Sequence, residues 1–315
     1  MILRAFRYLL IGFGTLIALL LIAGAYLAWI SRDIPMLELE QRYGGNGLQR
    51  VNVDGVNIAY KVEGAGPPLV LIHSHFYTMR LWQPWVDVLA KDFTVIRYDL
   101  TSHGLTGPDP SGDYSRARGT LLLAGLLDHL GIEQASVAGS STGGALAWYF
   151  AAHYPQRVAK LVLINAPGMP RVTNKYMERG MPAWGGYAFY LLPEQLFTAF
   201  LQAAVADNTL ITDERVKEFH EMYRGEGNRM AEFKRMMAWE RGDISADLAL
   251  IEAPTLIMWG EQNPQLPQEH VAQYTQKLVN AAAVDQIIYP DIGHVIPLEI
   301  PQQSAEDVRT FLGKM

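Results

Sequence analysis

The sequence predicts a doubly wound α/β fold, a mostly parallel sheet with helices on both faces, carrying an inserted helical cap and an N-terminal transmembrane helix. Three observations predict it. Short, continuously apolar runs alternate with segments of helical spacing, as strands buried between two helix layers do. One such run, Ala135 to Ala138, leads into Gly139-Ser140-Ser141-Thr142-Gly143 and then into a small-residue helix, a G-x-S-x-G pattern at a strand-to-helix turn. With 315 residues, 50% of them hydrophobic and 18% charged, the chain can bury one large core plus an insert. The expected division is an anchor at 1–33, a linker at 34–48, the core at 49–167, a cap at 168–247 and the rest of the core at 248–315.

From the N-terminus, Tyr8 to Ile30 is an almost unbroken apolar run of about 23 residues, preceded by Arg4 and Arg7 and closed by Ser31-Arg32-Asp33. It reads as an uncleaved anchor, with the basic end cytoplasmic and the remainder outside the cytoplasm. A signal peptide cleaved after Ala23-Gly24-Ala25 is the alternative, but apolarity continues past that site through Ile30. Ile34 to Gly47, with Pro35 and three glycines, reads as a flexible stand-off. Alternation around Asp54-Gly55 reads as a β-hairpin over Gln49 to Lys61. Strands follow at Leu69 to Ile72 and Phe93 to Tyr98, with helices at Leu81 to Ala90 and Arg116 to Leu130, the latter closed by Gly131. After the serine turn comes a strand at Ala159 to Ile164.

From Pro167 to about Asp247 the pattern changes to helical segments rich in Met and aromatics. One of them, Asp213 to Tyr223, sets Val216, Phe219, Met222 and Tyr223 on one face and charges on the other. Strand and helix then alternate again through Pro254 to Trp259, Gln268 to Leu278, Asp285 to Tyr289 and a last helix near Pro301 to Leu312.

Composition excludes several classes of function. A formal charge of −6 and a pI near 5.8 provide no basic field, and no basic run with interleaved aromatics occurs, so nucleic acid is not an expected partner. The absence of cysteine removes disulfides, thiolate metal sites and cysteine nucleophiles. The composition leaves the oligomeric state open.

At the serine turn, Gly139 and Gly143 remove Cβ atoms where the chain doubles back, lifting Ser141 toward solvent. The N–H of Thr142 lies at a helix N-terminus, where developing negative charge is favoured.

From Val51 to Phe311 the chain resembles the α/β-hydrolase superfamily, in its cap-bearing branch of esterases, C–C bond hydrolases and cofactor-free haloperoxidase-like enzymes. The resemblance rests on the order of Leu71-Ile72-His73, Asp99 through Gly104, the serine turn, Leu161 to Ala166, Pro254 to Glu261 and Gly293-His294. It implies Ser141 as nucleophile, His294 as general base, and the backbone N–H groups of His75 and Thr142 as oxyanion donors. No cofactor and no metal is implied. His73, His75 and His103 lie at neighbouring strand ends, yet no carboxylate–histidine spacing of a metal site accompanies them.

The chain departs from the family pattern at Ser74 and Ser102, where glycine is usual, and at Asn263, where the triad's acid belongs. An amide oxygen can orient a histidine but supplies no charge. Glu261 and Asp291 are nearby carboxylates, and the alternative acid position is again an amide, Asn165. The expected function is therefore hydrolysis of an ester, or of a C–C or other acyl bond, in a small apolar substrate whose pocket the cap lines through Trp184 or Trp239. A non-catalytic binding protein on the same scaffold is the rival reading.

If Tyr8 to Ile30 is an uncleaved span, the full chain sediments with membranes and resists carbonate extraction. A mature chain starting at Tyr26 by mass spectrometry would refute that.

Overall fold

The computed structural model describes residues 2–169, 182–240 and 242–314. Its centre is an eight-stranded sheet in the order β1-β2-β4-β3-β5-β6-β7-β8. The strands are β1 (Gln49–Val53), β2 (Val56–Glu63), β3 (Pro68–Ile72), β4 (Thr94–Tyr98), β5 (Ala135–Ser140), β6 (Val158–Ile164), β7 (Thr255–Gly260) and β8 (Val284–Tyr289). β1 and β2 form the expected hairpin, β2 pairs antiparallel with β4, and β3 onward are parallel. Leu69 to Ile72, Val137 and Leu161 to Ile164 are fully buried, as strands covered on both faces must be.

Helices α3 (Gln83–Leu89), α4 (Arg116–His129), α5 (Thr142–His153), α10 (Glu269–Lys277) and α12 (Pro301–Gly313) lie against the sheet. Two apolar clusters cover its faces, one built on Trp148, Phe150 and Trp259 and the other on Trp82, Trp85 and Phe311. α9 (Ser245–Leu248) and α11 (Ile296–Glu299) are single turns beside them.

The described part of the cap comprises a 3₁₀ segment Ala183–Leu191 and helices α6 (Glu194–Gln202), α7 (Asp213–Tyr223) and α8 (Asn228–Met237). α7 spans the residues its amphipathic spacing predicts. Thr212 caps it, its side chain accepting from the Arg215 N–H at 3.4 Å. Residues 170–181 of the expected cap lie outside the described residues.

The N-terminal segment forms one helix, α1 (Ile2–Ile30), and every side chain described on it is exposed, with Leu20, Leu21 and Ile22 at 63%, 68% and 66%. Among the described residues no helix is long and apolar enough to cross a membrane.

Residues 34–48 are not a free linker. α2 (Met36–Leu39) runs into a π-helical turn Glu40–Gly44, Leu39 is fully buried, and Ile34 and Leu39 pack with Leu105 and Met222. Pro35 and the glycines concealed this, because a helix of barely two turns leaves too few positions for its spacing to be read.

The chain leaving α1 is also tied to the cap. The Ile34 N–H donates to the Arg224 carbonyl at 2.8 Å and the Glu226 N–H to the Ile34 carbonyl at 3.0 Å. The buried Arg229 guanidinium meets Asp33 at 2.6 Å and the Tyr190 carbonyl at 3.1 Å. Arg229→Ala should lower the thermal midpoint by several degrees, about 1–3 kcal/mol, since Asp33 is only partly buried. A chain starting at Leu37, which lacks the clamp, should fold but melt earlier by a similar amount in scanning calorimetry.

Candidate active site

Ser141 stands between β5 and α5 with φ 50° and ψ −119°, a conformation that costs a non-glycine residue roughly 1–3 kcal/mol. Its surroundings hold it there. The Ser141 N–H donates to the Ile164 carbonyl at 2.8 Å, and its own carbonyl accepts from Ala145 at 3.0 Å. Both neighbouring glycines are required by close approach. A Cβ on Gly139 would lie 2.2 Å from the Gly143 carbonyl oxygen, and one on Gly143 2.2 Å from that of Ile72.

His294 follows β8 on a loop that three groups pin in place. Its N–H donates to the Ala204 carbonyl of the cap at 2.7 Å. The Glu299 carboxylate accepts from the N–H groups of Gly293, Val295 and Ala206 at 2.9, 3.0 and 2.8 Å. Asn165 Nδ2 donates to the His294 carbonyl at 2.8 Å, while its Oδ1 accepts from Gly260 at 3.1 Å. Asn165 therefore braces the loop and does not take the acid's place. Its sequence position at the end of β6 was visible; its role was not.

The ring of His294 bridges two of the expected residues. Nε2 is 2.8 Å from Ser141 Oγ, and Nδ1 is 3.1 Å from Asn263 Oδ1. That oxygen also accepts from the backbone N–H groups of Gln265 and Leu266 at 3.0 and 3.1 Å. Backbone N–H groups only donate, so the amide cannot be flipped, and His294 Nδ1 must carry the proton. Its Nε2 lone pair then faces the serine hydroxyl. Asn263 Nδ2 is buried without a partner among the described residues. Glu261 and Asp291 are both exposed, and Asp291 accepts from Gln262 at 2.7 Å.

The departures from glycine are compensated. Ser74 Oγ donates to Ser140 Oγ at 2.9 Å, two buried hydroxyls satisfying each other beside Ser141. Ser102, at φ 71°, donates to Glu232 Oε2 at 3.1 Å. Glu232 is a buried carboxylate from α8 that sequence reading missed. It forms a fork with Arg235, Nε to Oε2 at 2.9 Å and Nη2 to Oε1 at 2.7 Å.

Atoms of His75, His103 and Glu232 converge within 4.8 Å, a spacing suited to a cation. The Arg235 guanidinium already stands there, 2.6 Å from His75 Nδ1, and fills that electrostatic role. His73 is a structural residue. Its Nδ1–H donates to the Ser74 carbonyl at 2.8 Å and its Nε2 accepts from Leu100 at 3.0 Å.

Above Ser141 and His294 opens a cavity of about 520 Å³. Its floor is polar, from Ser74, His75, Ser141 and His294 at the carboxyl ends of the strands. Its roof is apolar, from cap residues including Phe189, Leu192, Leu196 and Phe200. Neither tryptophan expected there lines it. Trp184 is 73% exposed, and Trp239 borders a separate cavity of about 60 Å³. Thr142 follows Ser141 as the first residue of α5, and His75, in the loop after β3, lines the cavity with Ser141.

Residues 67–301 match the family model described as alpha/beta hydrolase fold. The chain is 30% identical over 254 residues to the dihydrolipoyllysine-residue acetyltransferase component of the acetoin cleaving system of Pseudomonas putida, covering 79% of this chain and 64% of that protein, just under two thirds. It is 27% identical to 2-hydroxymuconate semialdehyde hydrolase of Pseudomonas sp. (strain CF600), covering 82% and 92% of the two chains. The crystal structure of a membrane phospholipase A, described as a bacterial virulence factor, superposes over 97% of both chains with a TM-score of 0.72 at 23% identity, a likeness of fold.

The buried histidines predict an acid-sensitive fold. Burial pushes His73 down from 6.5 to about 4, and pushes His103 and His220 down as well. The unfolded chain therefore binds protons that the folded one refuses, and stability falls as pH drops below about 6.5. Asp99, pushed up by burial to about 6, acts in the opposite sense over part of that range. With three depressed histidines against one raised carboxylate, the thermal midpoint should fall between pH 7 and pH 5; a flat or rising profile would contradict the assignment of neutral, buried rings.

Proposed function

Because the chain belongs to the α/β hydrolase family, we propose that it is a serine hydrolase cleaving carboxylic esters of small apolar acids. One observation carries the reading: the relay from Asn263 through His294 to Ser141, at 3.1 and 2.8 Å, on the floor of an apolar cavity. Ser141 Oγ attacks the ester carbonyl carbon as His294 Nε2 takes its proton, and the oxyanion is held by the N–H groups of His75 and Thr142. On collapse, His294 returns that proton to the departing alkoxide, leaving an acyl-serine. Water then attacks with His294 as base, the acid leaves, and the serine hydroxyl is restored.

Asn263 makes this a slow enzyme. It holds the correct tautomer of His294, but a neutral amide stabilises the imidazolium less than a carboxylate does. In serine proteases an Asp-to-Asn change lowers kcat about 10⁴-fold, chiefly through the wrong tautomer, a part of the loss that the locked amide avoids here.

Similarity to 2-hydroxymuconate semialdehyde hydrolase favours C–C bond hydrolysis as a second reading, with the same serine and histidine. For α1 we propose an uncleaved anchor that places the hydrolase domain outside the cytoplasm; its bare apolar surface supports the anchor, and Arg4 and Arg7 at its start support the orientation.

A fluorophosphonate probe should label the wild-type protein but not Ser141→Ala, and His294→Ala should lose about as much p-nitrophenyl ester turnover as the serine change. Loss on Ser140→Ala instead would shift the nucleophile by one residue. Asn263→Asp should raise kcat tenfold or more, about 1.4 kcal/mol of transition-state stabilisation, whereas Glu261→Gln and Asp291→Asn should change little. Absence of labelling in wild type and in all these variants would favour a binding protein on a hydrolase scaffold.

A further inference from the structure

On the polar floor of the cavity most side chains are already committed. Ser74 bonds Ser140, and Ser141 and His294 bond each other. The His75 side chain, 26% exposed, lines the same cavity with its Nδ1 turned inward, 2.6 Å from Arg235 Nη2 and 2.9 Å from Glu232 Oε1. A guanidinium has no lone pair and keeps its protons in proteins, so toward Arg235 Nδ1 can only accept, whereas toward Glu232 Oε1 it could only donate; the shorter contact, 2.6 against 2.9 Å, assigns it the acceptor role. The Glu232 charge beside it is met by the two-point fork with Arg235. A neutral imidazole that accepts at Nδ1 carries its proton at Nε2. The groups facing this ring are Glu232 and Arg235 from α8, His103 from the loop after β4 at 5.8 Å between ring centroids, and His73 and Phe76 from its own loop.

We propose that His75 is a substrate-binding residue whose Nε2–H, held as a donor by Arg235, bonds an acceptor oxygen in the alcohol part of the ester. Preferred substrates are thus esters of oxygenated alcohols, of the glycol or glycerol type, rather than plain alkyl esters. The placement of the groups explains why the alcohol part is selected: the apolar roof suits the acyl chain, and the hydrogen-bonding groups share the floor with the nucleophile. That the ligand is an ester rests on the hydrolase reading above.

The test compares 2-methoxyethyl butyrate with butyl butyrate, equal in heavy atoms and differing by one ether oxygen that can only accept. Binding is measured by calorimetry in the Ser141→Ala protein, which holds esters without cleaving them. The ether ester should bind about tenfold tighter, a ratio that His75→Leu abolishes and His75→Gln, which keeps an N–H, largely retains. In Arg235→Met the Nδ1 proton passes to the Glu232 side and Nε2 becomes an acceptor. The preference should then vanish. A ratio that survives His75→Leu, or one that Arg235→Met leaves intact, overturns the proposal. Loss of ester turnover by the wild type with the binding ratio intact would defeat the hydrolase reading and leave this one standing.

Discussion

A single strained residue sets the geometry of the whole site. Ser141 adopts its left-handed backbone because β5 must turn into α5 within van der Waals contact of β3, with the Gly143 backbone against the Ile72 carbonyl and Gly139 against Gly143. Side chains at either glycine would push helix from sheet, so the strain is paid for by the packing of two elements at the centre of an eight-stranded sheet. Ser141 is therefore held in one place. His294, the loop of His75 and the cavity roof all have to be brought to a fixed point.

The remaining site is assembled by polar groups that cross from one part of the chain to another. Glu299 orders the loop of His294 and reaches the cap through the Ala206 N–H, while Asn165 ties the same loop to β7. Glu232 and Arg235 bring α8 down onto the loops after β3 and β4. The Asn165 contacts and the Ser102–Glu232 bond are buried, and all of these contacts are charged or doubly bonded, which makes them costly to break singly.

The amide at 263 separates two jobs that a carboxylate normally performs together. Three donors converge on Asn263 Oδ1, so orientation of His294 is as secure as an aspartate would make it. Charge is what is missing. The Nδ2 beside it, buried without a hydrogen-bond partner among the described residues, stands where a carboxylate would carry its second oxygen.

By itself the sequence determined the strands, the serine turn and the α7 helix, because each is written in local periodicity or in a turn whose glycines have one steric use. Its resemblance to the α/β hydrolases pointed to His294 and Asn263. Only the tertiary structure decided that the amide oxygen is locked by two backbone N–H groups, that residues 34–48 pack as helix, and that Trp184 and Trp239 leave the cavity to other cap residues. Glu232 and Arg235 were invisible for the same reason. Arg235 stands 160 residues from His75 in the chain, and on α8 alone the two charges read as an ordinary solvated pair. Local pattern reports what a segment buries; which charge meets which ring depends on where the fold brings distant segments together.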